Sequence, residues 1–407
     1  MVSELYDLPN GWEWKKLDNL TQVNIGKTPS RSKSKYFLGD KIWLSIRDLK
    51  GDYISDSNEK LTNEAIKDSN IKIVPKGTLL MSFKLTLGRT AFANCDLYTN
   101  EAIASLPIKD ESILDKYFLK YAIGVIDLEK EVDNAVKGKT LNKEKIRNLD
   151  IPLPPLEEQK RIVSKLDILF EKIDKAISLH QKNIDEVNVF MTSVSNEVFG
   201  ELEEKYEKQS INQIATIKGG KRVPKGYQLL EEETPYPYLR VTDFKDYGTI
   251  CKNKMLYLSK EVYEQIKRYT ITDEDLYITN VGNTIGKSGI IPSDLNGANL
   301  TENAVKLVYK DKKNTSNKFM YYFTKSSIFI VQLESATMQM AVPKLAIMRL
   351  GEIILPFPPV SIQQKVVAYL DEISQKMDKI KQIQKEKMQS LKALKASILD
   401  KAFRGEL

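Results

Sequence analysis

Cationic and amide side chains gather in a few short stretches of this 407-residue sequence, at spacings that suit phosphate and base-edge binding. In "KTPSRSKSK", Lys27, Arg31, Lys33 and Lys35 alternate with small hydroxyl residues, and no acid intervenes. Such a run offers charge and hydroxyl donors to phosphate oxygens. "KGGKR", which contains Lys221 and Arg222, is its counterpart in the second half. Reading a base needs a forked or amide side chain: Arg or Lys spans guanine O6 and N7, and Asn spans adenine N6 and N7. The candidates are Arg31, Arg47 and Arg89 in the first half, and Arg222, Arg240, Asn283 and Lys287 in the second. Arg47 and Arg240 fall in predicted strands, where Asp48 and Asp243 offer them a purely structural pairing.

Other stretches imitate chemistry without completing it. "NVGNTIGKSG" suggests a phosphate loop, but three residues separate Gly282 from Gly286 where that loop needs four. A tight basic turn between strands is expected there. His180 is the only histidine and falls on a helical seam, away from any acid–base partner set. Cys95 and Cys251 lie one in each half without Cys-x-x-Cys spacing, so neither a zinc site nor a disulfide is expected. No Asn/Asp-Pro-Pro-aromatic tetrad occurs, and with it the motif for methylating amino groups is missing. The chain reads as non-enzymatic, without a metal or cofactor of its own.

The elements that must position these residues are set by a duplication. "PLPPLEEQKRIVSKLD" from Pro152 returns as "PFPPVSIQQKVVAYLD" from Pro356, 204 residues later. That offset pairs Gln159 with Gln363, Asp174 with Asp378 and Phe199 with Phe403. Fainter parallels precede each copy: "KIWLSIRDL" with "PYLRVTDF", "LGRTAF" with "IGKSGI", "TNEA" with "TENA", and "KYFLKY" with "KFMYYF". The shared segment is a long helix. Prolines mark its start, and Ser361 with Gln364 forms a capping-box pattern in the second copy. Apolar residues then recur at alternating steps of three and four, as in a coiled-coil seam. In copy one these include Val163, Leu166, Phe170, Ile173, Ile177, His180 and Ile184; in copy two, Leu370, Ile373, Met377, Ile380, Leu391 and Leu394. Ile162, Leu169 and Phe190 lie beside that seam, as apolar surface for partner helices.

Each remaining half reads as mixed α/β, with strands at "KIWLSI", "GTLLMSF", "DLYITNV" and "AVKLVY". One helix follows in each, at "ILDKYFLKYAIGVI" and at "NKFMYYFTKSSIFIVQL". The segments are 1–153, a domain; 154–203, the first long helix; 204–355, a second domain; and 356–407, the second long helix. Net charge is +7, a mild basic excess carried mainly by the second half. No signal segment and no apolar run of membrane length occurs, so the chain is expected to be soluble and cytoplasmic.

This arrangement, with "IPLPPLEEQKRIV" before a long helix and the whole repeated once, resembles the specificity subunit of type I restriction-modification systems. "LPNGWEWKKL" and "GKTPSR" resemble the start of that family's target-recognition domains, and the second half departs there with "GGKRVPKG". The resemblance implies an α+β fold of pseudo-twofold symmetry: two target-recognition domains separated by two long antiparallel coiled-coil helices. It implies double-stranded DNA as ligand, each domain reading one half of a split, asymmetric site. It also implies two methyltransferase subunits as partners, restriction subunits joining through them, and S-adenosylmethionine bound by the methyltransferase. Two rivals remain on sequence alone: a coiled-coil scaffold for proteins only, and a stand-alone DNA-modifying enzyme.

Overall fold

The structure is a computed structural model that describes residues 6–128, 133–135, 138–245, 248–338 and 344–407. It divides into two compact units, Met1–Leu179 with Lys387–Leu407, and His180–Glu386. Each unit therefore contains one mixed α/β domain and one end of each long helix, Leu156–Lys205 and Val360–Phe403. At 1.5 Å per residue these helices are about 75 and 66 Å long, somewhat more than the repeat suggests.

The first domain is built on a five-stranded sheet. Its order is Asn24–Ile25, Ile103–Leu106, Leu79–Ser82, Thr90–Ala93 and Tyr53–Ile54, antiparallel except for the last pair. A three-stranded sheet, Glu59–Leu61, Lys41–Leu44 and Tyr98–Thr99, lies beside it in sequence order and carries the aromatic Trp43. The second domain repeats the scheme in two four-stranded sheets. One orders Ala215–Gly219, Ala304–Tyr309, Leu276–Thr279 and Ser288–Gly289; the other orders Leu256–Tyr257, Pro237–Leu239, Ala298–Leu300 and Thr270–Ile271. Leu79–Ser82 and Leu276–Thr279 are buried at every residue. Strands covered on both faces read as continuous apolar runs, and this is why "LLMS" and "LYIT" do not alternate. The predicted second-half helix is in fact two, Asn317–Phe323 and Ser327–Ala336. The Ser326 hydroxyl accepts from Phe329 N and starts the second of them.

A buried glutamine fastens each long helix to its domain. Gln159 accepts from Asp115 N at 2.8 Å and donates to the carbonyls of Ile113 at 2.8 Å and Pro154 at 2.9 Å. Gln363 accepts from Ser316 N at 2.8 Å and donates to Asn314 and Pro358 at 3.0 and 2.9 Å. Asp115 and Ser316 are themselves the caps of the helices Lys116–Val125 and Asn317–Phe323. A second tether is also repeated, from Tyr121 to Asp167 at 2.5 Å and from Tyr322 to Asp371 at 2.7 Å. These contacts align Asp115 with Ser316 and Tyr121 with Tyr322. The match of "KYFLKY" to "KFMYYF" is thus one residue out of structural register. The Ser361 capping box does not form, because the helix begins at Val360 and places Ser361 inside the first turn.

The helices pair antiparallel within each unit. In the first, Arg161 reaches the Leu407 carbonyl and Asp174 holds Lys395 at 2.7 Å, so the second helix descends as the first rises. Val163, Leu166, Phe170, Ile173 and Ile177 join the first domain's core together with Leu391 and Phe403. In the second unit, His180 Nδ1 bonds Gln384 Oε1, its own repeat equivalent. Ile184 is half-buried beyond it, and Leu370 and Ile373 join the second domain's core with Val194 and Phe199. The ends of the helices complete both cores: Phe403 packs on Phe118 at 5.0 Å between ring centres, and Phe199 on Phe319 at 5.2 Å.

The second copy's seam needs correcting. Ile380 and Leu394 are 37% and 48% exposed, and the inward positions after Met377 are Lys381, Gln384, Met388, Leu391 and Lys395. Lysine stems lie along apolar surface while their heads reach acids, here Lys395 over Phe170 and on to Asp174, so polarity alone hid these positions. Ile162 is not a surface residue either; it is fully buried in the first domain's core. Replacing Gln363 or Gln159 by alanine leaves one N–H and two carbonyls without partners. The expected loss is about 3 kcal/mol, lowering the melting temperature by roughly 6–12 °C. Differential scanning calorimetry checks this, with exposed Gln364→Ala unchanged.

Candidate nucleic-acid interface

The two basic stretches are pinned in the same way. A side chain at Gly26 would place Cβ 2.1 Å from the Thr99 carbonyl oxygen, and one at Gly220 would place it 2.0 Å from that of Thr301. Only glycine permits that approach. The next residue then pairs with the neighbouring strand end, Lys27 N to Thr99 O at 2.9 Å and Lys221 N to Leu300 O at 2.8 Å. An aromatic donor closes each turn, Trp43 Nε1 onto Lys27 O and Tyr238 Oη onto Lys221 O, both at 3.0 Å. Burial pushes the Tyr238 phenol up to about 12, and it remains a donor throughout the physiological range. "GKTPSR" and "GGKRVPKG" differ in sequence but start from one anchor.

Beyond that anchor the side chains diverge. Arg31 forks onto Glu59, with Nη2 2.9 Å from Oε2, and stacks 4.2 Å over Phe37. The guanidinium holds the Glu59 carboxyl below its usual range. Lys33 lies 3.5 Å from Asp68, Lys35 lies 2.9 Å from Glu64, and Lys27 reaches the Ser69 carbonyl. In the second domain Arg222 contacts Glu302 at 2.5 Å. Burial raises the Glu302 carboxyl, but the Arg222 hydrogen bond and its other donors outweigh this and leave it below the usual range. These are solvent-exposed pairs, each worth about 0–1 kcal/mol, so a phosphate or base edge can displace the acid at small cost.

Arg47 and Arg240 lie on neither strands nor equivalent positions. They belong to 3₁₀ turns, Ile46–Asp48 and Val241–Asp243, in which Ser45 and Arg240 occupy the same cap position. Asp48 is buried on Ser45 and Asn58, not on Arg47, which stands exposed without an ion pair among the described residues. Arg240 is consumed structurally: it clamps Asp243 at 2.7 and 3.0 Å and the Lys254 carbonyl at 2.6 Å. Arg89 and Lys287 are true equivalents. Each follows a turn closed by a buried hydroxyl (Ser82 or Thr279), and each reaches the carbonyl ending the 3₁₀ turn, Leu49 at 3.4 Å and Phe244 at 3.0 Å. The glycine-rich stretch is therefore a turn and not a phosphate loop, with Gly282 and Gly286 at φ +90° and +87° and Asn283 exposed between them.

One residue here escaped sequence reasoning. Leu85 holds φ +63° in the first domain's version of that turn and is 72% exposed. A left-handed leucine costs about 1–2 kcal/mol. Residue type gives no warning of it, because only the conformation makes it unusual. Among the described residues no group of three or more His, Cys, Asp or Glu side chains could hold a metal, and no helix is long and apolar enough to cross a membrane.

Comparison with known proteins gives the family. The type I restriction modification DNA specificity domain matches twice, over residues 9–189 and 203–387. The chain belongs to this family. It is therefore a DNA-sequence-recognition subunit and not a catalytic one. Among its relatives, the MjaIX type I restriction enzyme specificity subunit of Methanocaldococcus jannaschii is 23% identical over 100% of this chain and 95% of that protein. The EcoBI specificity subunit of Escherichia coli is 24% identical over 82% of this chain and 76% of its own length. A solved chain from a study of assembly and conformational transition in the type I R-M system shares the fold, with TM-score 0.72 and 20% identity over 99% of this chain and 100% of that one.

Two outcomes are expected. Glu59→Gln frees Arg31 and should raise affinity for duplex of unrelated sequence about two- to fivefold, read by gel shift. Leu85→Asn should stabilise the chain by about 1 kcal/mol in urea unfolding, since asparagine accepts the left-handed region.

Proposed function

We propose that this specificity subunit reads a two-part DNA sequence, one part with each domain, and that the two parts differ. The observation carrying this is the twice-built anchor. Gly26-Lys27 and Gly220-Lys221 start from matching backbone geometry, yet the residues that follow differ, Thr-Pro-Ser-Arg in one and Arg-Val-Pro-Lys in the other. A common frame with unlike tips fits two readers of unlike half-sites. In this reading Lys27, Lys33, Lys35 and Lys221 engage phosphates, while Arg31, Arg47, Arg222 and Asn283 reach toward bases. Arg89 and Lys287 steady the turns beside them, and Arg240 belongs to the frame.

Assembly is the second part of the proposal. Apolar residues stand exposed along the helices, among them Ile168, Leu179, Val189, Phe190, Ile383 and Leu394. Val187, Phe190, Met377 and Ile380 line an open cleft of about 360 Å³. Two methyltransferase subunits docking there would cover these faces, bring S-adenosylmethionine with them, and link restriction subunits to the complex in the cytoplasm. A protein-only scaffold has no use for paired basic turns.

Sequencing the methylated bases of cells carrying this chain and its methyltransferase tests the proposal. A motif of two unlike parts at fixed spacing is expected. Arg222→Ala should relax one part only, by about 1–3 kcal/mol at the position it reads. Methylation without a motif, or relaxation of both parts together, would count against it.

A further inference from the structure

The second domain carries a charged cleft that the paired turns do not explain. Strand Ala215–Gly219 runs antiparallel to Ala304–Tyr309 in a register that sets Lys218 directly opposite Lys306. Cross-strand partners leave the same face, and like charges so placed destabilise a sheet. Lys306 is answered by the buried Asp275 carboxylate at 2.7 Å. Lys218 has no such partner among the described residues, and neither has Arg268. All three cations line one cavity of about 350 Å³, with Tyr269 and Thr270 in its wall and no acid among its lining residues. At the matching strand pair the first domain has no opposed cations, for Asn24 stands opposite Ser105. Lys221 of the basic turn lies 5.7 Å over the Tyr269 ring, so the cleft adjoins the candidate interface.

We propose that this cleft holds a phosphodiester of the bound duplex, with Lys218 and Arg268 on its oxygens. An anion there would neutralise Lys218 and Arg268, neither of which has an acid partner among the described residues, and relieve the charge that Lys218 presents to Lys306. The assignment rests on the DNA-recognition reading and gives the second domain a backbone contact that the first lacks. Such a contact adds affinity for any sequence and no preference among sequences.

The test uses the full-length chain and its Lys218→Ala/Arg268→Ala variant, with Lys218→Gln/Arg268→Gln as a second form. Binding to a labelled duplex of unrelated sequence is measured across a potassium chloride series. The variant should bind several-fold more weakly, with the slope of log affinity against log salt smaller by about one. Its discrimination between motif and non-motif DNA should be unchanged. Its melting temperature should hold or rise, because an opposed charge has gone. An unchanged slope overturns the proposal, and so does a lower melting temperature in both variants, which would mark the cations as structural. If the slope is unchanged while inorganic phosphate raises the melting temperature of the wild type only, the cleft takes a free anion and not DNA. A wild type that binds every duplex equally sinks the recognition reading instead, and leaves the slope comparison intact.

Discussion

Each domain is finished by the ends of both long helices, and the rest of the structure depends on that. Phe403 enters the first domain's core against Phe118, and Phe199 enters the second's against Phe319. The start of a helix is fastened to the same core through its buried glutamine, Gln159 or Gln363. A core that needs the start of one helix and the end of the other can be satisfied only by antiparallel pairing. A buried amide with all three of its contacts on backbone then sets the angle at which the helix departs. Burying that amide without its partners would be costly, so no slipped register is an easy alternative.

On this frame variation is cheap where the tips are and expensive elsewhere. Gly26 and Gly220 cannot change without striking a carbonyl, and Trp43 and Tyr238 must donate to the turn they close. Of the cations that follow, Arg31, Lys35 and Arg222 are held by exposed ion pairs, Arg31 also stacking on Phe37. Their replacement leaves the backbone where it was. A DNA reader that changes its sequence without refolding needs this division between a fixed turn and free side chains.

Much of the fold was legible because a duplication prints itself twice. The proline strap, the glutamine at 204-residue spacing and the closing phenylalanine are local features that survive in both copies, and each proved to be a contact that the frame requires. The candidate interface was legible only as stretches. Glycine beside lysine marked both turns, but Arg240 and Arg47 looked alike in a strand-like context and turned out to differ, one clamped on Asp243 and the other exposed.

The amino-acid sequence by itself determined the repeat, the two long helices, the absence of a catalytic motif and the positions of the basic turns, because each is written in residue type and spacing along the chain. Tertiary structure alone decided which cations are engaged by acids, which lysines lie on the helix seam, that Leu85 is left-handed, and that Lys218 faces Lys306. Those depend on strand register and on which residues distant in sequence come within a few ångströms, and neither is encoded in local pattern.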